Sequence, residues 1–286
     1  MDRRDFLKTV GIASGTILAQ NVSLKAKETS KKGEFVGILI DTTRCVGCRT
    51  CEQVCSEVND LPEPDWELDV LEQERKTTEK QFTLINGFET NQGEVFIKRQ
   101  CMHCSQPACA SACLTKAMFK TLEGPVVWKP NKCMGCRYCM ISCPFNIPKF
   151  EHHSYNPKIQ KCSMCWERLK EGMKPACVEN CPAEALLFGK RRELIEIART
   201  RIFENPDSYI HHIYGEHEVG GTSILYLANT PFENLGLRSD LGDRPIPELT
   251  TDFLYGVPIV LTLWPAFLLA LSNSTKSKET YSESED

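Results

Sequence analysis

The distribution of cysteines constrains the fold of this chain more than any other feature of the sequence. The 286 residues include sixteen cysteines, and all of them lie between Cys45 and Cys181. They form four groups of four, called here the first to fourth quartets, and none is left over. In chain order the quartets are Cys45, Cys48, Cys51 and Cys55; Cys101, Cys104, Cys109 and Cys113; Cys133, Cys136, Cys139 and Cys143; and Cys162, Cys165, Cys177 and Cys181.

The spacing within the quartets indicates iron–sulfur ligation. The first and third quartets are both C-x2-C-x2-C-x3-C, the spacing of bacterial ferredoxins, and Pro144 follows the third. The second quartet has four residues in its middle gap and the fourth has eleven, but the last gap is always three. Three cysteines then wrap one cuboidal cluster, and the fourth is expected to start a helix and to point at a neighbouring cluster. The pattern therefore predicts four [4Fe–4S] clusters.

Other cysteine chemistries explain the pattern less well. Zinc sites use C-x2-C pairs, but they do not require a third cysteine two residues further on. Disulfide frameworks belong to small secreted domains, and cysteines three residues apart are poor partners for each other. A catalytic iron–sulfur enzyme would need a cluster that lacks one cysteine, and no quartet lacks one. The formal net charge of −4 and the absence of a basic run give no indication of nucleic-acid binding.

The quartets resemble those of the four-cluster ferredoxin-like iron–sulfur subunits of membrane oxidoreductases, such as formate dehydrogenase and dimethyl sulfoxide reductase. The resemblance covers residues 35–195. It implies an α+β fold of two ferredoxin-like 2[4Fe-4S] units in a pseudo-twofold arrangement. It also implies that the protein transfers electrons and is not itself a catalyst. It also implies that quartets exchange their last cysteines. The implied ligand sets are Cys45, Cys48, Cys51 and Cys181; Cys162, Cys165, Cys177 and Cys55; Cys101, Cys104, Cys109 and Cys143; and Cys133, Cys136, Cys139 and Cys113.

The first residues, 1–26, have the pattern of an export signal. Arg3 and Arg4 precede Phe-Leu-Lys and a short apolar run, as in the twin-arginine (Tat) signal, and cleavage after Ala19 or Ala26 or no cleavage at all are open alternatives. The Tat route carries folded proteins, which suits a protein that must acquire its clusters in the cytoplasm. The signal therefore predicts a cluster domain on the periplasmic side.

A charge-free apolar run covers residues 253–271, close to the length of about 20 residues that one transmembrane helix needs. Pro258 and Pro265 would kink such a helix, and a buried core helix is the alternative. The polar tail that follows, residues 272–286, has the composition of a disordered segment and is expected on the cytoplasmic side. The chain is thus predicted to cross the inner (cytoplasmic) membrane once.

The combination of a signal and an anchor resembles the iron–sulfur subunit of the periplasmic, quinone-linked nickel–iron hydrogenase. The segments Tyr214-Gly215-Glu216 and Cys101-Met102-His103-Cys104 carry the same resemblance. It implies hydrogenase catalytic subunits and an integral-membrane quinone-binding subunit as partners. A beta subunit of a molybdopterin oxidoreductase is the alternative.

Outside the quartets the sequence predicts few elements. Residues 57–100 form an insertion with a β-hairpin built from residues 81–86 and 94–98. A helix is predicted over residues 191–201 and leads into the extension of residues 196–252. Within the extension, a strand is predicted over 224–228, and an irregular linker precedes the apolar run. His103, His152 and His153 lie near the quartets and are interpreted as structural or surface residues that can also tune a cluster. Trp166 is interpreted as a core residue or as a shield of a cluster from water. His211, His212 and Glu216 lack a further ligand and are not predicted to bind metal.

Overall fold

The structure, a computed structural model, describes residues 34–282. The predicted signal of residues 1–26 and the last four residues of the predicted tail lie outside the described residues. In chain order the strands are β1 (Val36–Asp41), β2 (Leu84–Thr90), β3 (Gly93–Arg99), β4 (Met118–Lys120), β5 (Val126–Trp128), β6 (Lys149–Phe150), β7 (Ile159–Gln160), β8 (Leu186–Lys190) and β9 (Ile224–Leu227). The α-helices are α1 (Thr50–Val58), α2 (Ala108–Ser111), α3 (Tyr138–Ile141), α4 (Trp166–Lys170), α5 (Ala176–Glu179), α6 (Arg191–Glu204) and α7 (Thr251–Ser282).

Strand β1 is the centre of a three-stranded sheet of order β8-β1-β9. It pairs antiparallel with β8 and parallel with β9. Its apolar residues are continuous because both faces of a central strand are covered. Ile38 and Ile40 face the core that contains the cysteines, whereas Leu39 faces Leu194 and Ala198 of α6. The sheet therefore separates the cysteine-rich loops, on one face, from α6, on the other.

Three antiparallel hairpins complete the strands: β2 with β3, β4 with β5, and β6 with β7. The first lies in the predicted insertion and begins three residues later than the sequence pattern indicates. Its two-residue loop joins Thr90 to Gly93, which has a φ of 99°. Ile85, Val95 and Ile97 of this hairpin are buried in the same core as Ile38 and Ile40. The insertion therefore packs on the cysteine-rich loops rather than projecting from them.

The third cysteine of each quartet lies in a helix, and in all quartets but the first the helix ends before the fourth cysteine. Cys51, Cys109, Cys139 and Cys177 lie in α1, α2, α3 and α5. The expectation that the fourth cysteine starts a helix is wrong: α2, α3 and α5 each end two residues before Cys113, Cys143 and Cys181, and Cys55 lies inside α1. A cysteine just past the end of a helix is carried away from the loop that holds the other cysteines of its quartet.

The helices also pair in a way that divides the quartets. Helix α1 contacts α5, and α2 contacts α3. The first quartet is thus packed on the fourth, and the second on the third.

Helix α7 contains the apolar run and both of its prolines. Within the described part of the chain, Ile246–Asn273 is the one segment long and apolar enough to cross a membrane, with a mean hydropathy of 2.0. Its side chains are exposed rather than packed on the protein, which excludes the buried core helix; Leu261, for example, is 68% exposed. The only polar side chain in its middle is satisfied locally, because Thr262 Oγ1 donates to the carbonyl of Pro258 at 2.9 Å. The helix continues to Ser282, so the expectation of a disordered tail is wrong for residues 272–282.

Candidate metal centres

The loops of the first and third quartets share one backbone conformation. Gly47 and Gly135 have φ values of 68° and 73°, and Arg49 and Arg137, two residues later, both have 59°. These left-handed residues curl each loop back on itself just before α1 and α3 begin. A side chain at position 47 would also collide with the ring of Phe96, 2.7 Å from the Cβ it would carry, so this position requires glycine.

The second and fourth quartets share a different local pattern. Pro107 and Pro175 each precede an Ala-Cys pair at the start of α2 and α5. Prolines at such positions are extended before the helix, and their fixed φ favours its first turn. The third cysteine is therefore placed by the same Pro-Ala-Cys turn in both quartets, although eleven residues fill the middle gap of the fourth.

All quartets except the first end in a common turn. The residue three positions after the last cysteine is left-handed, and its amide donates to the carbonyl of that cysteine at 3.1–3.2 Å; the pairs are Lys116 with Cys113, Asn146 with Cys143, and Glu184 with Cys181. The repeat therefore extends beyond the cysteine spacing to the backbone that surrounds it.

The first cavity mixes two quartets. It is lined by Cys45, Cys48, Cys51 and Cys181, with Ile40 and Ile85 among its apolar walls. Three of the cysteines come from the first quartet and the other from the end of the fourth.

The second cavity has the reverse composition. It is lined by Cys162, Cys165, Cys177 and Cys55. The amide of Asn59 supports the borrowed cysteine, since its Nδ2 donates to the carbonyl of Cys55 at 2.8 Å and lies 3.6 Å from its Sγ.

The other half of the protein repeats this exchange. A third cavity is lined by Cys133, Cys136, Cys139 and Cys113. The remaining four cysteines are neighbours of one another: Cys101 and Cys143 both raise the pKa of Cys104 and that of Cys109, after burial, which is the larger cause. Each group thus contains three cysteines of one quartet and the last cysteine of its partner quartet.

These groups suit a cluster better than a single ion. A zinc ion would draw four sulfurs to about 2.3 Å from one point. Within residues 34–282, no three His, Cys, Asp or Glu side chains are close enough to hold one ion, and all sixteen cysteines are free of disulfide bonds. Backbone amides already point at sulfur, as those of Met118 and Met164 donate to Cys113 Sγ and Cys162 Sγ at 3.3 Å. The residues present therefore fit a cuboidal iron–sulfur group.

Burial also makes the thiols dependent on metal. It raises the pKa of Cys109 and of Cys162 to about 12, and that of Cys139 to about 11. Such thiols become thiolates only when a cation replaces the proton. Cys48 and Cys136 are the exposed members of the sixteen, so one cavity in each half lies close to the surface.

His103 is the histidine that lies closest to this chemistry. It is fully buried, and its Nδ1 accepts a hydrogen bond from the amide of Val126 at 2.8 Å, which leaves the proton on Nε2. That Nε2 has no protein partner. Burial, and then the charges of Lys161 and Lys120, hold the pKa of His103 well below its ordinary value, so the ring is a neutral donor. A surface role is therefore excluded for His103.

The other singled-out residues lie away from the cavities. His152 and His153 are exposed, and Trp166 is half-buried under Lys170. His212 pairs with Glu218 at 2.8 Å and Glu216 with Arg199 at 2.5 Å, so these side chains are occupied with protein partners.

Two residues that sequence reasoning missed are Lys98 and Gln100. Both are buried in or next to strand β3, and both line the second cavity. Their only sequence signal is a lysine and a glutamine just before Cys101 at the end of a strand, a pattern that does not reveal which way the side chains point.

Comparison with known proteins places the chain in a family. Residues 93–191 match the model of a 4Fe-4S dicluster domain. The chain is 34% identical to the hydrogenase-2 operon protein HybA of Escherichia coli O157:H7, over 97% of each protein. It is 33% identical to the iron–sulfur subunit of the nitrate-inducible formate dehydrogenase of E. coli K12, over 79% of this chain and 76% of that protein. A protein of Nitratidesulfovibrio vulgaris is 46% identical over 98% of this chain and 78% of its own length.

The cysteine quartets, the composition of the cavities and the similarity to these relatives all indicate the same family. The chain belongs to the ferredoxin-like iron–sulfur electron-transfer subunits of oxidoreductase complexes, which bind multiple [4Fe–4S] clusters.

Proposed function

We propose that the chain holds four [4Fe–4S] clusters in two ferredoxin-like units related by a pseudo-twofold axis. The observation that carries this proposal is the composition of the cysteine groups, each of which takes three members from one quartet and one from another. The ligand sets are Cys45, Cys48, Cys51 and Cys181; Cys162, Cys165, Cys177 and Cys55; Cys101, Cys104, Cys109 and Cys143; and Cys133, Cys136, Cys139 and Cys113.

The four sites form one continuous series of neighbours. Electrostatic neighbours from different groups define the order: Cys51 with Cys177, then Cys162 with Cys101, then Cys109 with Cys139. The site with exposed Cys48 is at one end and the site with exposed Cys136 is at the other. A cluster, when bound, supplies one-electron redox chemistry. The chain itself sets the spacing of the sites, buries their thiols and leaves both ends accessible to partners.

The chain acts as a relay and not as a catalyst. Each site supplies four thiolates, which leaves no open coordination position for a substrate. At the Cys136 end, exposed apolar side chains such as Leu114 and Ile141, 82% and 80% exposed, surround the site. Apolar residues around an exposed redox site support docking of an electron-transfer partner there.

The proposed partners are a periplasmic nickel–iron hydrogenase and an integral-membrane quinone-binding subunit. The alignment with the hydrogenase-2 operon protein supports this choice, since it covers 97% of both proteins. Helix α7 would anchor the chain in the inner membrane by a single pass, and Arg3 and Arg4 would direct export of the folded cluster domain to the periplasmic side by the Tat route. The second candidate is the beta subunit of a molybdopterin oxidoreductase, which the similarity to a formate dehydrogenase subunit supports.

Purification of the native complex in a mild detergent separates these two functions. We expect the tagged chain to bring down a nickel-containing subunit pair and a multi-span membrane protein, together with hydrogen-dependent quinone reduction. A molybdopterin subunit in the complex, with formate-dependent activity, would instead establish the second candidate. A chain recovered alone from the soluble fraction would contradict both.

A further inference from the structure

Lys98 lies between two of the cavities. It is the sixth residue of strand β3, it is 1% exposed, and it lines both the first and the second cavity. No cysteine does this, because each cavity has its own four.

The charge of Lys98 has no acidic partner. Its Nζ donates to Oε1 of Gln100, a neutral group, and no carboxylate among residues 34–282 forms an ion pair with it. A lysine buried without a counter-charge ordinarily gives up its proton. The groups on both sides of Lys98 are the cysteines of the first and second cavities, which become thiolates when they bind iron. The counter-charge of Lys98 therefore comes from thiolates of both cavities.

We propose that Lys98 is a counter-cation shared by two clusters and that it raises the reduction potential of both. This inference rests on the proposed ligand sets. Reduction adds a negative charge to a site that is already negative, and a fixed positive charge in a medium of low dielectric constant stabilises the added electron. Because Lys98 lines both cavities, it acts on two sites at once. It does not line the cavity of Cys136.

Lys161 provides a matched control. It is also buried, and its Nζ donates to backbone carbonyls, including that of Cys162 at 2.9 Å. It lines neither of the cavities that Lys98 lines. Among the cysteines whose pKa shifts, its charge acts on Cys109 and Cys143, which belong to the next site in the series. The same chemical change at Lys161 should therefore affect a different site.

The test is a redox titration of the full chain in its native complex, followed by electron paramagnetic resonance. The variants are Lys98→Met, Lys98→Gln, Lys98→Arg and Lys161→Met, and the single variants Cys48→Ser, Cys165→Ser and Cys136→Ser assign signals to sites. Both neutral variants of Lys98 should lower the reduction equilibrium constants of the Cys48 and Cys165 sites by about tenfold or more, which is about 59 mV for one electron. The Cys136 site should keep its midpoint. Lys98→Arg should keep all midpoints near those of the wild type, and Lys161→Met should shift the site of Cys109 instead.

Several results would overturn the inference. Unchanged midpoints in Lys98→Met and Lys98→Gln, a shift of only one of the two sites, or an equal shift of all sites would each exclude a shared local charge. If the neutral variants fail to assemble clusters but Lys98→Arg assembles them, the positive charge itself is required, in support of the inference. If Lys98→Arg fails as well, the role of Lys98 is packing. A wild-type chain without four clusters would instead refute the proposed function, and iron analysis of the same samples distinguishes that failure.

Discussion

Replacement of Cys181 by serine should damage the site of Cys45, Cys48 and Cys51, although Cys181 belongs to the fourth quartet. Cys181 lines the first cavity together with these three cysteines, whereas its nearest quartet member, Cys177, lines the second. Serine is a harder and poorer ligand for iron than thiolate, so the affected cluster should lose iron or shift its potential. The expected effect is loss of the whole spectroscopic signal of one cluster out of four, measured by electron paramagnetic resonance of the reduced protein.

Two single variants identify the cluster that is lost. Cys48→Ser marks the first site and Cys165→Ser marks the second. We expect the spectrum of Cys181→Ser to match that of Cys48→Ser. A match with Cys165→Ser would mean that each quartet binds its own cluster, and the exchanged ligand sets would be wrong.

Replacement of Glu52 by alanine should cause a large loss of stability. The Glu52 carboxylate is buried in α1, between Cys51 and Cys55 in the sequence. It accepts hydrogen bonds from four residues: Arg49 at 2.9 Å, Arg75 at 2.8 Å, Gln81 at 2.9 Å and the backbone amide of Ile85 at 2.6 Å. Its removal leaves two guanidinium groups and a buried amide without their acceptor. Breaking a buried ion pair from one side costs about 3–5 kcal/mol.

The same helix provides the control for this substitution. Glu57 is exposed, and its carboxylate meets only Gln53 at 3.0 Å, so Glu57→Ala should change the free energy of unfolding by less than about 0.5 kcal/mol. Both variants are unfolded anaerobically in urea, with loss of cluster absorbance as the signal. Equal stability of the two variants would show that Glu52 does not hold the insertion against the cysteine-rich loops.

Local patterns in the sequence predicted the elements that depend on local chemistry. Cysteine spacing depends on the reach of a loop around one group, and it identified all four quartets. The apolar run of residues 253–271 predicted a helix because its length and composition are sufficient for that inference. The hairpin of β2 and β3 was predicted from alternation and turn residues. Strand β2 begins three residues later than predicted, and β3 is one residue longer at each end.

Long-range contacts could not be predicted in this way. Glu52 meets partners 23 to 33 residues further along the chain, and no short pattern links them. Lys98 reads as one charged residue in an alternating strand, and only the fold shows that it points inward. The position of the helices was misjudged because the Pro-Ala-Cys turns and the left-handed residues before α1 and α3 set the helix starts, and these act through backbone geometry rather than through cysteine spacing. The helical residues 272–282 were missed because composition alone suggested disorder.

The most direct test of the four-cluster relay is the iron and acid-labile sulfide content of the full-length protein. Four cuboidal clusters, each held by four of the sixteen cysteines, require about sixteen iron and about sixteen sulfide per chain. Protein purified anaerobically and fully reconstituted should reach these values, with negligible zinc. About eight iron or fewer per chain, or zinc in stoichiometric amounts without sulfide, would contradict the account.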